Sequence, residues 1–192
     1  MKILFVGNSF TFYNDMPTLF QNMANACNLN VQVDKLTFGG HYLHQYADFE
    51  SKKGMLFLKK MNEGNFDIVV IQDQSINPAL NYDDFFTAAQ KLCNEIRKKG
   101  AMPIFYQTWA YRNESEKLKS TGFSYDEMHE KLENAYQTAA KQLDTIAVPV
   151  GRAFYNITKN RPDINLLAQD DYHPSCEGSL VAASVFLNTI KR

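Results

Sequence analysis

Hydrophobic positions along this chain switch repeatedly between two patterns. Short, mostly apolar runs over Lys2 to Val6, Val31 to Phe38, Asp67 to Gln72, Met102 to Gln107 and Thr145 to Pro149 predict β-strands, and Ile3-Leu4-Phe5-Val6 reads as a buried one. Between them the apolar residues recur at helical spacing. The clearest stretch is Ser124 to Leu143, where Met128, Leu132, Ala135, Tyr136, Ala139 and Leu143 share a face and Ser124 with Glu127 forms a capping box at the start. A second predicted helix runs from about Asp83 to Lys99, with Phe85, Ala89, Leu92 and Ile96 on one face and Gly100 as its stop. Others cover about Asp15 to Cys27, Leu43 to Met61 and Glu177 to Ile190, with Gly54 weakening the continuity of the second of these. Strand and helix in alternation predict a parallel sheet covered on both faces. The expected architecture is α/β: a three-layer α/β/α sandwich with a five-stranded parallel sheet in the flavodoxin-like order 2-1-3-4-5. Neither an internal repeat nor a linker interrupts the pattern. The long polar stretch from Ala110 to Phe123 reads as a surface loop or a lid.

Composition narrows the functional classes. A chain of 192 residues suits a single domain over its whole length, and 45% hydrophobic with 21% charged residues is ordinary for a globular protein. The formal net charge of -1 supplies no overall field for nucleic acid or an anionic membrane, and neither is an expected partner. The basic clusters Lys52-Lys53, Lys59-Lys60 and Arg97-Lys98-Lys99 fall on helix faces or ends and read as solvated surface. Cys27, Cys93 and Cys176 have no CxxC spacing, so neither a disulfide framework nor a zinc ribbon is expected, and Cys27 and Cys93 read as small core residues. The first strand begins at Lys2 and no apolar run approaches the ~20 residues of a membrane span, which makes a cytoplasmic location the default expectation.

In open α/β sheets ligands bind beyond the carboxyl ends of the strands. Ser9, Gly39-Gly40, Gln72 to Ser75 and Thr108-Trp109 all fall there. Ser9 follows the first strand directly in Gly7-Asn8-Ser9-Phe10. Near the other end, Asp170-Asp171-Tyr172-His173-Pro174 puts a histidine three residues after a carboxylate. A hydroxyl is a poor nucleophile until a base takes its proton, and the base works best when a third group fixes its tautomer. The two strings together therefore suggest a Ser-His-Asp nucleophilic site, with Asp170 favoured as the orienting acid over its neighbour Asp171. His41 and His44 lie three apart without a third ligand nearby, so no metal is expected. His129 reads as solvated. Gly7-Asn8-Ser9 lacks the later glycines of a dinucleotide fingerprint, and no cofactor is expected.

The order of these blocks resembles the SGNH hydrolases, the superfamily of GDSL-type esterases and lipases, over nearly the whole chain. The resemblance makes Ser9 the nucleophile, His173 the base and Asp170 its partner, with Pro174 and Gly178 leading into a terminal helix as in the family. It assigns a glycine after the second strand to the oxyanion hole, which Thr37-Phe38-Gly39-Gly40 supplies, with Gly40 favoured. One block departs: where the family usually has Gly-x-Asn-Asp after the third strand, this chain has Gln72-Asp73-Gln74-Ser75-Ile76-Asn77. A glutamine amide can donate in the same way. Gln72 is favoured because it sits at the strand end, over Gln74 and Asn77; strand alternation puts Gln72 and Gln74 on one side and so keeps Gln74 as an alternative. Asn8 and Trp109 are candidate substrate contacts, and Tyr106 and Tyr111 are further candidates for the pocket wall. The implied activity is hydrolysis of a small ester, with O-acetyl groups preferred as substrate. A lipase or thioesterase on longer acyl chains and a non-catalytic ligand-binding domain are the competing readings.

Overall fold

The computed structural model describes residues 1–191. Along the chain the elements are β1 (Lys2–Gly7), α1 (Ser9–Phe12), α2 (Met16–Ala26), β2 (Gln32–Thr37), α3 (Leu43–Ala47), α4 (Lys52–Glu63), β3 (Ile68–Ile71), α5 (Asn77–Leu80), α6 (Tyr82–Lys98), β4 (Met102–Tyr106), α7 (Glu116–Lys119), α8 (Tyr125–Gln142), β5 (Ala147–Val148), α9 (Val150–Asn160) and α10 (Cys176–Ile190). A 3-10 turn, Tyr13–Asp15, joins α1 to α2. The strands make one parallel sheet, as the alternation of periods predicts, in the expected order β2-β1-β3-β4-β5. Among the described residues no helix is long and apolar enough to cross a membrane, and no group of three or more His, Cys, Asp or Glu side chains is placed to hold a metal ion.

β1 is flanked on both edges and covered on both faces. Ile3 and Phe5 enter the core beneath α2 and α10, where Phe5 meets Phe20 and Phe186 edge-on at 6.0 and 5.3 Å. Leu4 and Val6 enter the opposite core with Phe57 and Phe85. Each such side chain removed from water contributes roughly 1.5–3 kcal/mol before entropy is charged against it. In register, Val6 lies beside Leu36 on one edge and Ile71 on the other. Three strands therefore stop at one level, and the residues after them, Asn8, Phe38 and Gln72, meet at a common sheet edge.

Some expectations change on contact with the structure. The helix expected over Leu43 to Met61 is two helices, α3 and α4, parted at Asp48–Ser51. Gly54 is not the break: it sits in the first turn of α4, and a Cβ there would stand 1.9 Å from the carbonyl oxygen of Asp48. Glycine allows the two helices to pack across the corner. α9 escapes a pattern reading because Pro149-Val150-Gly151 looks like a turn, yet Val150, Gly151 and Phe154 are its buried face. The stretch from Ala110 to Phe123 contains the short helix α7, capped by the Ser115 hydroxyl, which accepts from the Leu118 N–H. Cys93 is buried as expected, but Cys27 is exposed at the end of α2. His129 is buried rather than solvated. Its ring stacks on Tyr155 at 4.0 Å with Glu133 at 3.3 Å, and burial pushes its pKa down.

Candidate active site

β1 delivers the chain to Gly7, and the next residues turn out of the sheet. Asn8 is the N-cap of α1: its Oδ1 accepts from the Phe10 N–H at 3.0 Å, and Ser9 becomes the first helical residue. The rest of Asn8 is equally committed. Its Nδ2 donates to the carbonyl of His41 at 2.8 Å, and its own N–H donates to Gln72 Oε1 at 2.9 Å. Gly7 is small for a physical reason, since a Cβ there would lie 2.5 Å from Gln72 Oε1 and 2.6 Å from the Thr11 hydroxyl. Asn8 borders the cleft, but its amide works as a cap and a tie, so it is not the free substrate-binding group expected from sequence.

The loop between α9 and α10 carries the other half of the site. His173 is 8% exposed. Its Nδ1 lies 2.6 Å from Asp170 Oδ2, and its Nε2 lies 2.7 Å from Ser9 Oγ. Asp170 Oδ1 accepts from the backbone N–H groups of His173 at 3.0 Å and Tyr172 at 3.3 Å. Burial pushes the Asp170 carboxyl up, but the hydrogen bonds from the His173 ring and from these two N–H groups outweigh it and hold the group below the usual carboxylate range. The adjacent carboxylate turns away. Asp171, at φ +70°, pairs with Arg112 Nε at 2.5 Å, and the same guanidinium donates to the carbonyls of Leu167 and Ala168 at 3.0 and 2.9 Å.

Two contacts on His173 were not anticipated from sequence. The Tyr13 ring stacks face to face on the imidazole, 4.1 Å away and within 3° of parallel, while Tyr172 lies 4.1 Å off, tilted by 37°. Asn14, at φ +51°, ties the turn carrying Tyr13 to the histidine loop: its Nδ2 lies 3.1 and 3.0 Å from the carbonyls of Pro174 and Ser175 and 2.9 Å from the Ser179 hydroxyl. The sequence signal was the pair Tyr13-Asn14 just after the serine block, because asparagine tolerates left-handed backbone better than most residues.

The backbone N–H groups of Ser9 and Gly40 have no acceptor among the described residues. Both residues line a cleft of about 340 Å³ that also includes Gln74, Tyr111, Tyr172 and His173. Gly40 sits at φ +70°, the left-handed conformation for which glycine is suited, in the turn after β2. The third block corrects the expectation. Gln72 is fully buried, and its Oε1 accepts from Asn8 N–H and from the Thr11 hydroxyl at 2.8 Å while its Nε2 donates to the carbonyl of Asp73. It braces the serine turn from beneath and offers no donor to the cleft. Gln74 does border the cleft, with its Nε2 3.0 Å from the Ser75 hydroxyl. The two diverge because β3 ends at Ile71, so strand alternation no longer governs the residues beyond it. Asn77 is buried and bonded to Asp73, Asp84 and Asn81. Trp109 is likewise not a substrate contact: it is 1% exposed, stacked between Phe10 and Phe154 at 4.7 and 4.3 Å, with its N–H on the carbonyl of Tyr172. Tyr106 is core, whereas Tyr111 lines the cleft and shares a 2.6 Å hydrogen bond with Ser75.

A hydroxyl hydrogen-bonded to an imidazole, itself hydrogen-bonded to a carboxylate, can attack a carbonyl carbon. The adjacent free N–H groups can receive the negative oxygen that results. A larger surface cleft, about 510 Å³ between α3 and α6, includes His44, Asp84 and Lys91 but no comparable arrangement.

No protein-family model matches the chain, and no curated protein matches its sequence. Solved structures do. A protein from Slackia heliotrinireducens assigned as an SGNH hydrolase shares 30% identity over 99% of this chain and 98% of its own, with a TM-score of 0.89. A DUF4886 family protein from Bacteroides uniformis is 20% identical over 98% of this chain and 82% of its own, with a TM-score of 0.83. The acetyl xylan esterase AlAXEase is 17% identical over 99% and 100%, with a TM-score of 0.75. The latter two likenesses are of fold.

Proposed function

This chain belongs to the SGNH hydrolase superfamily, and from that premise we propose that it is a serine esterase acting on small O-acyl esters, acetyl esters foremost. The observation that carries the reading is the unbroken run of hydrogen bonds from Ser9 Oγ through both nitrogens of His173 to Asp170, beside two backbone N–H groups without an acceptor among the described residues. His173 takes the Ser9 proton as Oγ attacks the ester carbonyl, and Asp170 stabilises the imidazolium that forms. The tetrahedral oxyanion is met by the N–H groups of Ser9 and Gly40 and by the Gln74 amide. His173 then protonates the leaving alcohol, and water deacylates Ser9 through the same base. Residues 1–192 act as one catalytic domain that needs no cofactor.

Support for a short acyl group comes from the modest volume of the cleft, about 340 Å³, and from the shared fold with an acetyl xylan esterase. The test has two parts. A serine-directed phosphonate should label Ser9 in the wild type and nothing in Ser9→Ala, and hydrolysis of aryl esters should fall steeply from acetyl to octanoyl. Failure of labelling would leave a binding domain on this scaffold. A rise with chain length would favour a lipase or thioesterase.

A further inference from the structure

We propose that Lys117 makes the cleft selective for esters whose alcohol portion carries a carboxylate. This deepens the esterase reading and rests on it. Among the residues bordering the Ser9 cleft, Lys117 bears the one fixed charge, and no carboxylate lines the opening. Its ammonium lies 4.8 Å from the centre of the Tyr172 ring and 5.6 Å from that of Tyr111. Tyr172 in turn sits 4.1 Å from the His173 ring, so the cation stands one aromatic ring away from the base.

The charge is unspent. On the same short helix Glu116 pairs with Lys119 at 2.6 Å, and Lys117 has no carboxylate within pairing distance among the described residues. Two ring faces satisfy a cation electrostatically but accept little from its three N–H donors. The backbone that carries the exposed Lys117 side chain is anchored rather than part of a free loop. Leu118 beside it is 3% exposed, Ser115 caps the helix, and Arg112 moors the segment to Asp171 and the histidine loop. A leaving group directed out of the cleft past Tyr111 and Tyr172 passes this ammonium, and a carboxylate there gains a charge-assisted hydrogen bond that a neutral group cannot make.

The experiment compares kcat/KM for 4-acetoxybenzoate and 4-acetoxybenzamide, each divided by its rate of hydroxide hydrolysis to remove intrinsic reactivity. The wild type should prefer the acid roughly two- to fivefold at low salt, an exposed charge pair being modest in strength, and added salt should shrink the preference. Lys117→Met, which keeps the apolar stem, should bring the ratio to about one; Lys117→Glu should invert it; Lys117→Arg should retain it. A wild-type ratio near one, or a Lys117→Met variant that loses both esters in equal proportion, would overturn the proposal while leaving the esterase reading intact, since the neutral ester still reports Ser9 chemistry. If neither ester is hydrolysed, the esterase reading falls. The carboxylate preference of the cleft is then read separately by calorimetric binding of intact 4-acetoxybenzoate: weaker binding by Lys117→Met supports it, and unchanged binding overturns it.

Discussion

Substituting the two glutamines of the third block separately should divide stability from turnover. Gln72→Ala removes the carbonyl that accepts from the Asn8 N–H at 2.9 Å and the Thr11 hydroxyl at 2.8 Å, in a place where Gln72 and Thr11 have no solvent exposure and Asn8 has 1%. Each buried group left without a partner costs about 1–3 kcal/mol. Two such groups, together with the void left by the side chain, make a loss of roughly 3–5 kcal/mol, against a total stability of about 5–15 kcal/mol for a typical domain. For a chain of this size that is a fall in Tm on the order of 10 °C. The Gln74 side chain is partly exposed and hydrogen-bonded to its neighbours Ser75 and Ile76, so Gln74→Ala should cost less than ~1 kcal/mol. Its loss should appear in kcat, by roughly 10²-fold or more with KM little changed, because an oxyanion donor binds charge that exists mainly in the transition state. Urea unfolding and steady-state kinetics on both variants make the comparison. A stable Gln72→Ala variant with crippled kcat, paired with a fully active Gln74→Ala, would refute the assignment of brace and donor.

Ser9→Ala and His173→Ala should each remove nearly all ester hydrolysis with the circular dichroism spectrum unchanged, and the double variant should be scarcely worse than either, as expected for residues acting as one unit. Asp170→Asn should lower kcat far more than Asp171→Asn, whose effect should register chiefly as lost thermal stability through release of Arg112; equal kinetic effects would mean the acids are wrongly distinguished. The Asp170 carboxyl is held below its ordinary value in the fold, so its contribution to stability is present above the unfolded pKa of about 3.9 and is lost as pH falls through the folded value. Acid unfolding curves of Asp170→Asn should lack that part of the pH dependence. Gly7→Ala, which drives a methyl group into the contact between Gln72 and Thr11, should destabilise the protein by about 1–3 kcal/mol in urea titrations.

What the sequence made legible followed from period and order. Five apolar runs separated by amphipathic stretches are enough to specify a parallel sheet, and the position of Ser9 after the first and of Asp170 and His173 before the last helix follows from topology. Errors arose where regular elements stop. Gln72 and Gln74 share a face only if the strand continues, and it ends at Ile71. Trp109, just past β4, has the residue type of a pocket wall but the packing of a core residue, and nothing in local pattern separates the two. His129 has charged neighbours along the helix, yet the face it occupies is covered by Tyr155 from α9, an element that the sequence pattern did not announce.

The site is built from loops, yet hydrogen bonds across the sheet edge remove most of their freedom. Asn8 ties the serine turn to the His41 carbonyl and to Gln72, so the loops after β1, β2 and β3 are joined at one residue. Asp73 repeats the device one layer away, accepting from the N–H groups of Leu43 and Gln74, both at 2.7 Å, and from Asn77 Nδ2 at 2.8 Å. Burial pushes its carboxyl up, and those donors offset the cost only in part. Asn14 and Arg112 moor the histidine loop from opposite sides, one through the turn after α1 and the other through the segment before α7. None of these side chains needs to touch an ester to matter. A donor or base displaced by 1 Å can forfeit much of its effect, and here each is fixed by a polar contact whose alternative is an unpaired group at least partly removed from water.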